Sequence, residues 1–362
     1  MKKIYFTVTN DLSFDQRMHR ICNSLANAGY SVCLIGRRKP GSIALEQKKY
    51  EQRRLPCLFT RGPFFYAEYN LRVFFYLLFK KMDAICAIDL DTILPVLLIS
   101  RIKNVRRVYD AHELFCEMKE VVTRPAIYRR WKSIEKYSVP KFIFAYTVSE
   151  PIAGEFFRMY GVRFELIRNV PLFEDAPPGQ KKESYILYQG AVNEGRSFET
   201  LIPAMKAVNA PLIVCGDGNY MEQAVALARI NSLEEKIIFK GMLSPNELKN
   251  YTLDARIGIT LFENNGLSNY YSLANRFFDY VQAGVPQVCV DYPAYQQINS
   301  EFNVAILISD LSPGSISAAL NKLLENPGQY LALHSACLKA RKIYNWQEEE
   351  KKLLAFYRQV FS

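Results

Sequence analysis

Laid on a helix at 100° per residue, Ser272, Asn275, Arg276 and Asp279 share one face, and Leu273, Phe277, Phe278, Tyr280 and Val281 share the other. Those four polar types suit one chemistry. A capping Ser272 leaves the amides of Leu273, Ala274 and Asn275 aimed at an anion, and Arg276 adds charge to the same face. Asp279, two turns on, is placed to accept two hydroxyls, as a ribose presents. Gly284 and Pro286 then end the helix before the β-type run Gln287–Val290. The spacing predicts a phosphate-bearing, hydroxyl-rich ligand, against the plainer alternative of a solvated face.

Three further strand-to-helix junctions lie upstream. In YQGAVNEGRSFETL, Gly190 permits close backbone approach, and Arg196 sits near the start of the next helix, where phosphate oxygens are well received. LIVCGDGNY ends a strand on Gly216-Asp217-Gly218. FKGMLSPNEL carries Gly241, Met242 and Leu243 before a Ser244/Glu247 capping box, which is structural in itself. Each junction alone is compatible with an ordinary βα loop.

Short apolar strands alternate with helical patterns along the whole chain, which predicts parallel sheets covered by helices on both faces. PLFEDAPPGQKKES, residues 171–184, breaks the alternation and reads as a linker. The expected division is 1–170 and 185–345, two doubly wound Rossmann-like domains, with a C-terminal helix at 346–362. Ligands of such sheets bind beyond the carboxyl ends of the strands, so a site in an inter-domain cleft is expected.

Charge divides the chain unevenly. Residues 1–170 hold 29 Lys/Arg and 16 Asp/Glu, whereas the remainder holds 17 and 20. The first half should attract an anionic partner. Nucleic acid is disfavoured, because the basic residues are scattered without aromatic interleaving. The aromatic run Phe64–Phe79 contains Glu68, Asn70 and Arg72 and is shorter than a membrane span, so it reads as a buried or interfacial helix. Eight cysteines without a CxxC pair, several inside strand-like runs, fit reduced thiols. The opening MKKIYFTVTN turns polar too soon for a signal peptide. The expectation is a cytoplasmic protein.

Taken in order, the four junctions resemble the C-terminal half of family-four (group 1) glycosyltransferases of the GT-B fold. FDQRMHRICNSLANAGYSVCLIGRR, AIDLDTILP, VYDAHEL, YTVSEP and IRNVP follow that family's order in the first half. The resemblance implies two Rossmann-like domains facing a cleft, with the C-terminal helix crossing back to the first. It implies a nucleoside diphosphate sugar, UDP- or GDP-linked, as donor. Arg196 then holds the diphosphate, and Ser272 to Arg276 form the diphosphate loop. Asp279 contacts the donor ribose, and Gly241 to Leu243 lie against the base. His112 faces the sugar and the acceptor. Three positions depart from the family pattern: Tyr271 replaces the first Glu of a paired motif, Asp279 shortens the second, and Ala191 replaces an Arg after Gly190. Glu263 offers a carboxylate nearby without matching.

The implied reaction is a retaining, metal-independent transfer to an acceptor hydroxyl in polysaccharide, cell-envelope or lipid-linked glycan synthesis. Asp89-Leu90-Asp91 has the letters of a cation-holding pair, but it matches a first-domain strand end and reads as loop and helix capping. An inverting route would need a base, for which Asp110 and Glu113 stand nearest. The basic first half and the aromatic run suit peripheral attachment to an anionic inner membrane face, with a glycan or lipid-diphosphate acceptor. Two rivals remain: a sugar-nucleotide epimerase of the same fold, and a nucleotide-sugar binding protein whose site has decayed.

Overall fold

The computed structural model describes residues 1–175 and 185–362; the expected linker falls, from 176 onward, outside the described residues. Two units are distinguished by internal contacts. The first comprises Met1–Asn169 with Glu349–Ser362, and the second Val170–Glu348.

The first unit is built on seven parallel strands: β1 Lys3–Thr7, β2 Ser31–Arg38, β3 Glu51–Pro56, β4 Ala84–Ile88, β5 Arg106–Ala111, β6 Phe144–Thr147 and β7 Glu165–Leu166. Their order is β3-β2-β1-β4-β5-β6-β7. The chain runs outward from β1 to β3, then returns to β1's other side at β4, so the order reverses between β1 and β4. KIYFT and AICAI at that centre are buried almost throughout, which is why they read as unbroken apolar runs. β3, EQRRLP, is the exception: it is an edge strand with alternate residues exposed, and its charges hide it from a search for apolar runs.

Helices cover both faces. Asp15 caps the helix Gln16–Asn27 by accepting the Met18 amide at 2.9 Å. The helix Gly62–Leu78 buries Phe65, Tyr69, Val73 and Leu77, while Phe64, Leu71 and Phe75 stay exposed on its outer side. The C-terminal helix Trp346–Phe361 closes the first unit. Phe356 packs edge-on to Tyr146, with centroids 5.1 Å apart, and Tyr357 lies against Phe6.

The second unit has six parallel strands: β8 Ile186–Gln189, β9 Leu212–Cys215, β10 Ile237–Gly241, β11 Ile257–Thr260, β12 Gln287–Val290 and β13 Ala305–Ile308. Their order is β10-β9-β8-β11-β12-β13, reversing between β8 and β11. One continuous core joins Ile186, Tyr188, Val214, Ile259 and Val288 to Phe198, Phe277 and Leu320 of the covering helices. The capping box of Ser244 and Glu247 is fully formed at the helix Pro245–Asp254. All eight cysteines are free thiols, seven buried and Cys57 half-buried. No helix among the described residues is long and apolar enough to cross a membrane.

Candidate functional site

In the second unit the expected residues gather where the strand order reverses. A pocket of about 240 Å³ is lined by Gln189, Gly190, Ala191, Arg196, Leu248, Ala274, Asn275, Arg276 and Asp279. Next to Gly190 the strand ends are stitched together by backbone: the Gly190 amide donates to Cys215 O at 2.9 Å, and the Gly216 amide to Gly241 O at 2.8 Å. The strand ends approach so closely that a Cβ on Gly216 would stand 1.8 Å from Gly190 O. Arg196 reaches the pocket from the turn before the helix Phe198–Ala204, its guanidinium 5.5 Å over the Phe262 ring.

Two expectations about the polar helix are corrected. Its helix begins at Asn275, with Ala274 in the capping position, and Ser272 does not cap it. The Ser272 hydroxyl instead donates to Asn269 O at 2.8 Å, closing the preceding short helix Leu267–Tyr270. The Ala274 amide is not left for an anion either, because it donates to the Tyr295 hydroxyl at 2.8 Å. The entry angle of the helix is thus set by a tertiary hydrogen bond.

Arg276 does line the pocket, yet only 8% of it is exposed. Its Nη1 donates to Gln189 O at 3.1 Å and its Nη2 to Leu261 O at 3.4 Å, and the guanidinium stacks 4.6 Å over Tyr188. It therefore ties the ends of β8 and β11 while presenting charge to the pocket; its buried Nε has no partner among the described residues. Asp279 accepts from Gln189 Nε2 at 2.8 Å, and Gln189 Oε1 accepts from Thr252 at 2.7 Å. Gln189 and Thr252 escaped the sequence reading. The visible signal was a polar residue closing an otherwise apolar strand, ILYQ. Gly216, Gly241, Met242, Leu243, Ser272 and Leu273 are not among the pocket's lining residues; Met242 projects into solvent.

The first unit carries a second constellation, again around the point of reversed order. His112 follows β5 with its backbone amide donating to Asp89 Oδ1 at 2.8 Å. Its Nδ1 lies 3.3 Å from Asp89 Oδ2 and its Nε2 3.3 Å from Asp110 Oδ2. Arg17 completes the group: Nε donates to His112 Nε2 at 2.9 Å, Nη2 pairs with Asp110 at 2.9 Å, and Nη1 reaches Ile167 O. Arg17 sits on the apolar stripe of its helix with Met18, Ile21 and Leu25, and a buried guanidinium there requires a buried counter-charge. That was the legible sign of the cluster.

Electrostatics follow from this crowding. Burial works against a charged His112 and so does Arg17, but the carboxylates of Asp89 and Asp110 outweigh both and hold the imidazole up to about 9. A proton on Nε2 turns that nitrogen from Arg17 toward Asp110. Asp110, despite burial, is kept below the usual carboxylate range by Arg17 and His112. Burial and Asp89 raise Asp91 to about 7, and the same two causes raise Glu113 to about 8. Asp91 accepts from Thr9 at 2.6 Å, and Asp89 makes no side-chain cap. The Asp89/Asp91 pair therefore braces His112 and Thr9, which corrects the helix-capping expectation. Of the two bases considered for an inverting route, Asp110 is committed to Arg17, while Glu113 is shifted toward neutrality.

Residues 172–340 match the family model of glycosyl transferases group 1. The second unit belongs to that family. No curated protein sequence is a match for the chain. Solved structures are similar over its whole length: sucrose-phosphate synthase from Thermosynechococcus elongatus has a TM-score of 0.84 at 15% identity, covering 100% of this chain and 99% of that one. HepE from Anabaena, solved with UDP-glucose, has a TM-score of 0.78 at 12% identity over 99% and 100%. WaaG, a glycosyltransferase involved in lipopolysaccharide biosynthesis, has 0.73 at 16% over 97% and 98%. The chain thus has the two-sheet α/β fold of the GT-B glycosyltransferases.

Proposed function

We propose that the protein transfers a sugar from a nucleoside diphosphate sugar to an acceptor hydroxyl, with retained anomeric configuration. The observation that carries this reading is the pairing of Arg196 and Arg276 with the Gly190 strand end in one small pocket that also holds Asp279. Two guanidiniums there stabilise the charge that grows on the departing diphosphate, so the reading calls on no metal ion. Asp279, braced by Gln189, takes the ribose hydroxyls. The sugar C1–phosphate bond breaks, the acceptor oxygen bonds C1 from the same side, and its proton passes to the leaving phosphate oxygen. The cationic His112 of the first unit is suited to orient hydroxyl groups rather than to act as a base. Relatives of this fold solved with UDP-glucose support a UDP-sugar as the donor class.

The test is turnover with a panel of nucleotide sugars, followed by NMR of the product. Arg196→Ala should lower kcat/KM at least about 100-fold without changing the melting temperature. An inverted linkage overturns retention, and epimer formation without an acceptor shifts the reading to an epimerase. A second reading, a binding protein without turnover, draws on Arg276 and the Ala274 amide being engaged within the protein. Wild-type chain that binds nucleotide yet never transfers would establish it.

The reading extends to a cytoplasmic, peripheral-membrane enzyme of glycan or cell-envelope synthesis. Phe64, Leu71, Phe75 and Phe79 form one exposed stripe along the helix Gly62–Leu78 and its cap, in the basic unit. Sedimentation with vesicles should rise with anionic lipid and fall with salt; equal binding to neutral vesicles counts against attachment.

A further inference from the structure

A second, larger pocket lies wholly in the first unit and meets the groups described so far only at Asp91. It encloses about 500 Å³, within the range that holds a small organic ligand. One wall is the start of the helix Gly62–Leu78, the other the helix Pro125–Ser138, and Leu90 and Leu94 contribute from the segment after β4. Trp131 lines it, edge-on to Phe115 at 4.9 Å and to Tyr66 at 5.2 Å. Ile127 and Ile134 of the same helix line it too, only partly buried. Half-exposed aromatic and aliphatic side chains around a concavity are unfavourable in water, and an apolar occupant relieves that cost.

Polar groups stand at defined places. Exposed Arg124 and Arg130 belong to the lining on the Trp131 side. Asp91 and Asn70 are on the other side. Asn70 donates to Asp91 O at 2.9 Å and to Tyr66 O, while its own buried Oδ1 has no partner among the described residues. Asp91 shares its short loop with Asp89, which holds His112, so the polar end of the pocket adjoins the first-unit constellation. Beside the Gly62–Pro63 wall, Phe64 lies tilted against Phe59 with centroids 5.5 Å apart, both exposed; Glu68 ties the Leu58 and Phe59 amides to the same helix.

We infer that this pocket takes the hydrocarbon chain of a phosphate-bearing amphiphile, with Arg124 and Arg130 pairing to its phosphate. The pocket's own chemistry favours this occupant: an apolar slot, two exposed guanidiniums against one exposed carboxylate, Glu120, on the lining, exposed aromatics at its edge and a surplus of positive charge in the unit. On the transferase reading, on which only this last step rests, the amphiphile is the acceptor, and its hydroxyl end lies toward Asn70 and Asp91.

Alkyl phosphates, soluble and single-chained, are the probes, titrated by calorimetry into the full chain. Each methylene buried should tighten binding up to about fourfold, so octyl phosphate should bind about tenfold tighter than hexyl phosphate. Inorganic phosphate should bind far more weakly than either. Ala67→Phe, at an exposed position on the lining, should weaken octyl phosphate at least tenfold. Replacing both Arg124 and Arg130 with Ala should weaken octyl phosphate at least fivefold but leave octanol unchanged. Independently of any variant, 8-bromooctyl phosphate should quench the Trp131 emission. Binding that ignores chain length, or inorganic phosphate that binds as well as octyl phosphate, overturns the inference; the first result gives the groove to a protein segment instead. Unquenched Trp131 or an unaffected Ala67→Phe does the same. Nucleotide-sugar binding measured on the same samples keeps the readings apart. Its loss in wild type sinks the transferase reading and leaves the amphiphile site judged by its own titration.

Discussion

The two constellations sit at equivalent places, each beyond the strand ends where its sheet reverses order, but they are made of different material. The second unit uses backbone atoms, glycines and guanidiniums: Gly190, Gly216, Arg196 and Arg276. The first uses groups that gain and lose protons near neutrality: His112 at about 9, Glu113 at about 8 and Asp91 at about 7. A site of fixed charge and tight backbone is broken by adding atoms. A site of shared protons is broken by changing pH. This contrast is what one expects if the second unit grips a permanent anion while the first manages hydroxyls.

The largest effect should come from a single methyl group. Gly216→Ala places a Cβ 1.8 Å from Gly190 O, at a backbone φ of +149°. The strand ends of β8 and β9 must part, costing about 3 kcal/mol or more. Hydrogen exchange should show the loss confined to the second unit. Gly241→Ala is the matched control: nothing lies within 4 Å of its Cβ, and only its φ of +67° is strained, worth about 1–2 kcal/mol. Equal losses for the two variants would show that conformation, not close approach, makes the cradle.

Much of this was readable beforehand because parallel sheets hide their strands on both faces. KIYFT, AICAI, LIVC and QVCV are conspicuous as short apolar runs, and the order of strands and helices follows from them. What escaped were features decided by distant partners. Helical periodicity placed Arg276 on the polar, ligand-facing side of its helix, yet Tyr188 and two strand-end carbonyls draw most of it inside. Ser272 has the right chemistry for a cap, but the Tyr295 hydroxyl, far along the chain, takes the Ala274 amide and fixes the helix start at Asn275. His112 was legible as a candidate; its setting was not, since Arg17 and Asp89 come from elements well separated in sequence. The edge strand β3 went unseen for the opposite reason, as its charges face water.

A middling effect is expected from pH. The folded His112 holds its proton up to about 9, whereas an unfolded His releases it near 6.5. Its stabilisation is therefore complete below about pH 6.5 and is lost as pH rises through 9. Asp91 and Glu113 are also raised, so the native state keeps protons that the unfolded chain gives up from about pH 4, and their contribution declines toward pH 7 to 8 with the same sign. From His112 alone the first unit should lose about 2–3 kcal/mol between pH 6.5 and 9, with Asp91 and Glu113 deepening the fall, read by exchange of its β4 and β5 amides. His112→Asn should flatten that slope, while the second unit's amides follow no such trend. A second unit that destabilised in parallel would erase the contrast between the two materials.

The smallest effect tests whether the one carboxylate on the second unit's pocket, Asp279, is fixed as firmly as the backbone around it. Gln189 connects Asp279 to Thr252, with its backbone carbonyl held by Arg276. Gln189→Leu keeps the apolar volume but leaves Thr252 and Asp279 without that partner, at a cost of about 1–2 kcal/mol. If Asp279 reads ribose hydroxyls, its loosened carboxylate should weaken nucleotide-sugar affinity about tenfold and leave affinity for inorganic diphosphate unchanged, because Arg196 and Arg276 remain. Gln189→Glu goes further, setting two carboxylates at hydrogen-bonding distance, so its nucleotide affinity should fall as pH rises through the carboxylate range. That variant would give the second unit a titrating site like the first. An affinity independent of pH would mean that Asp279 faces the pocket without touching the ligand, and that guanidiniums and backbone alone do the gripping.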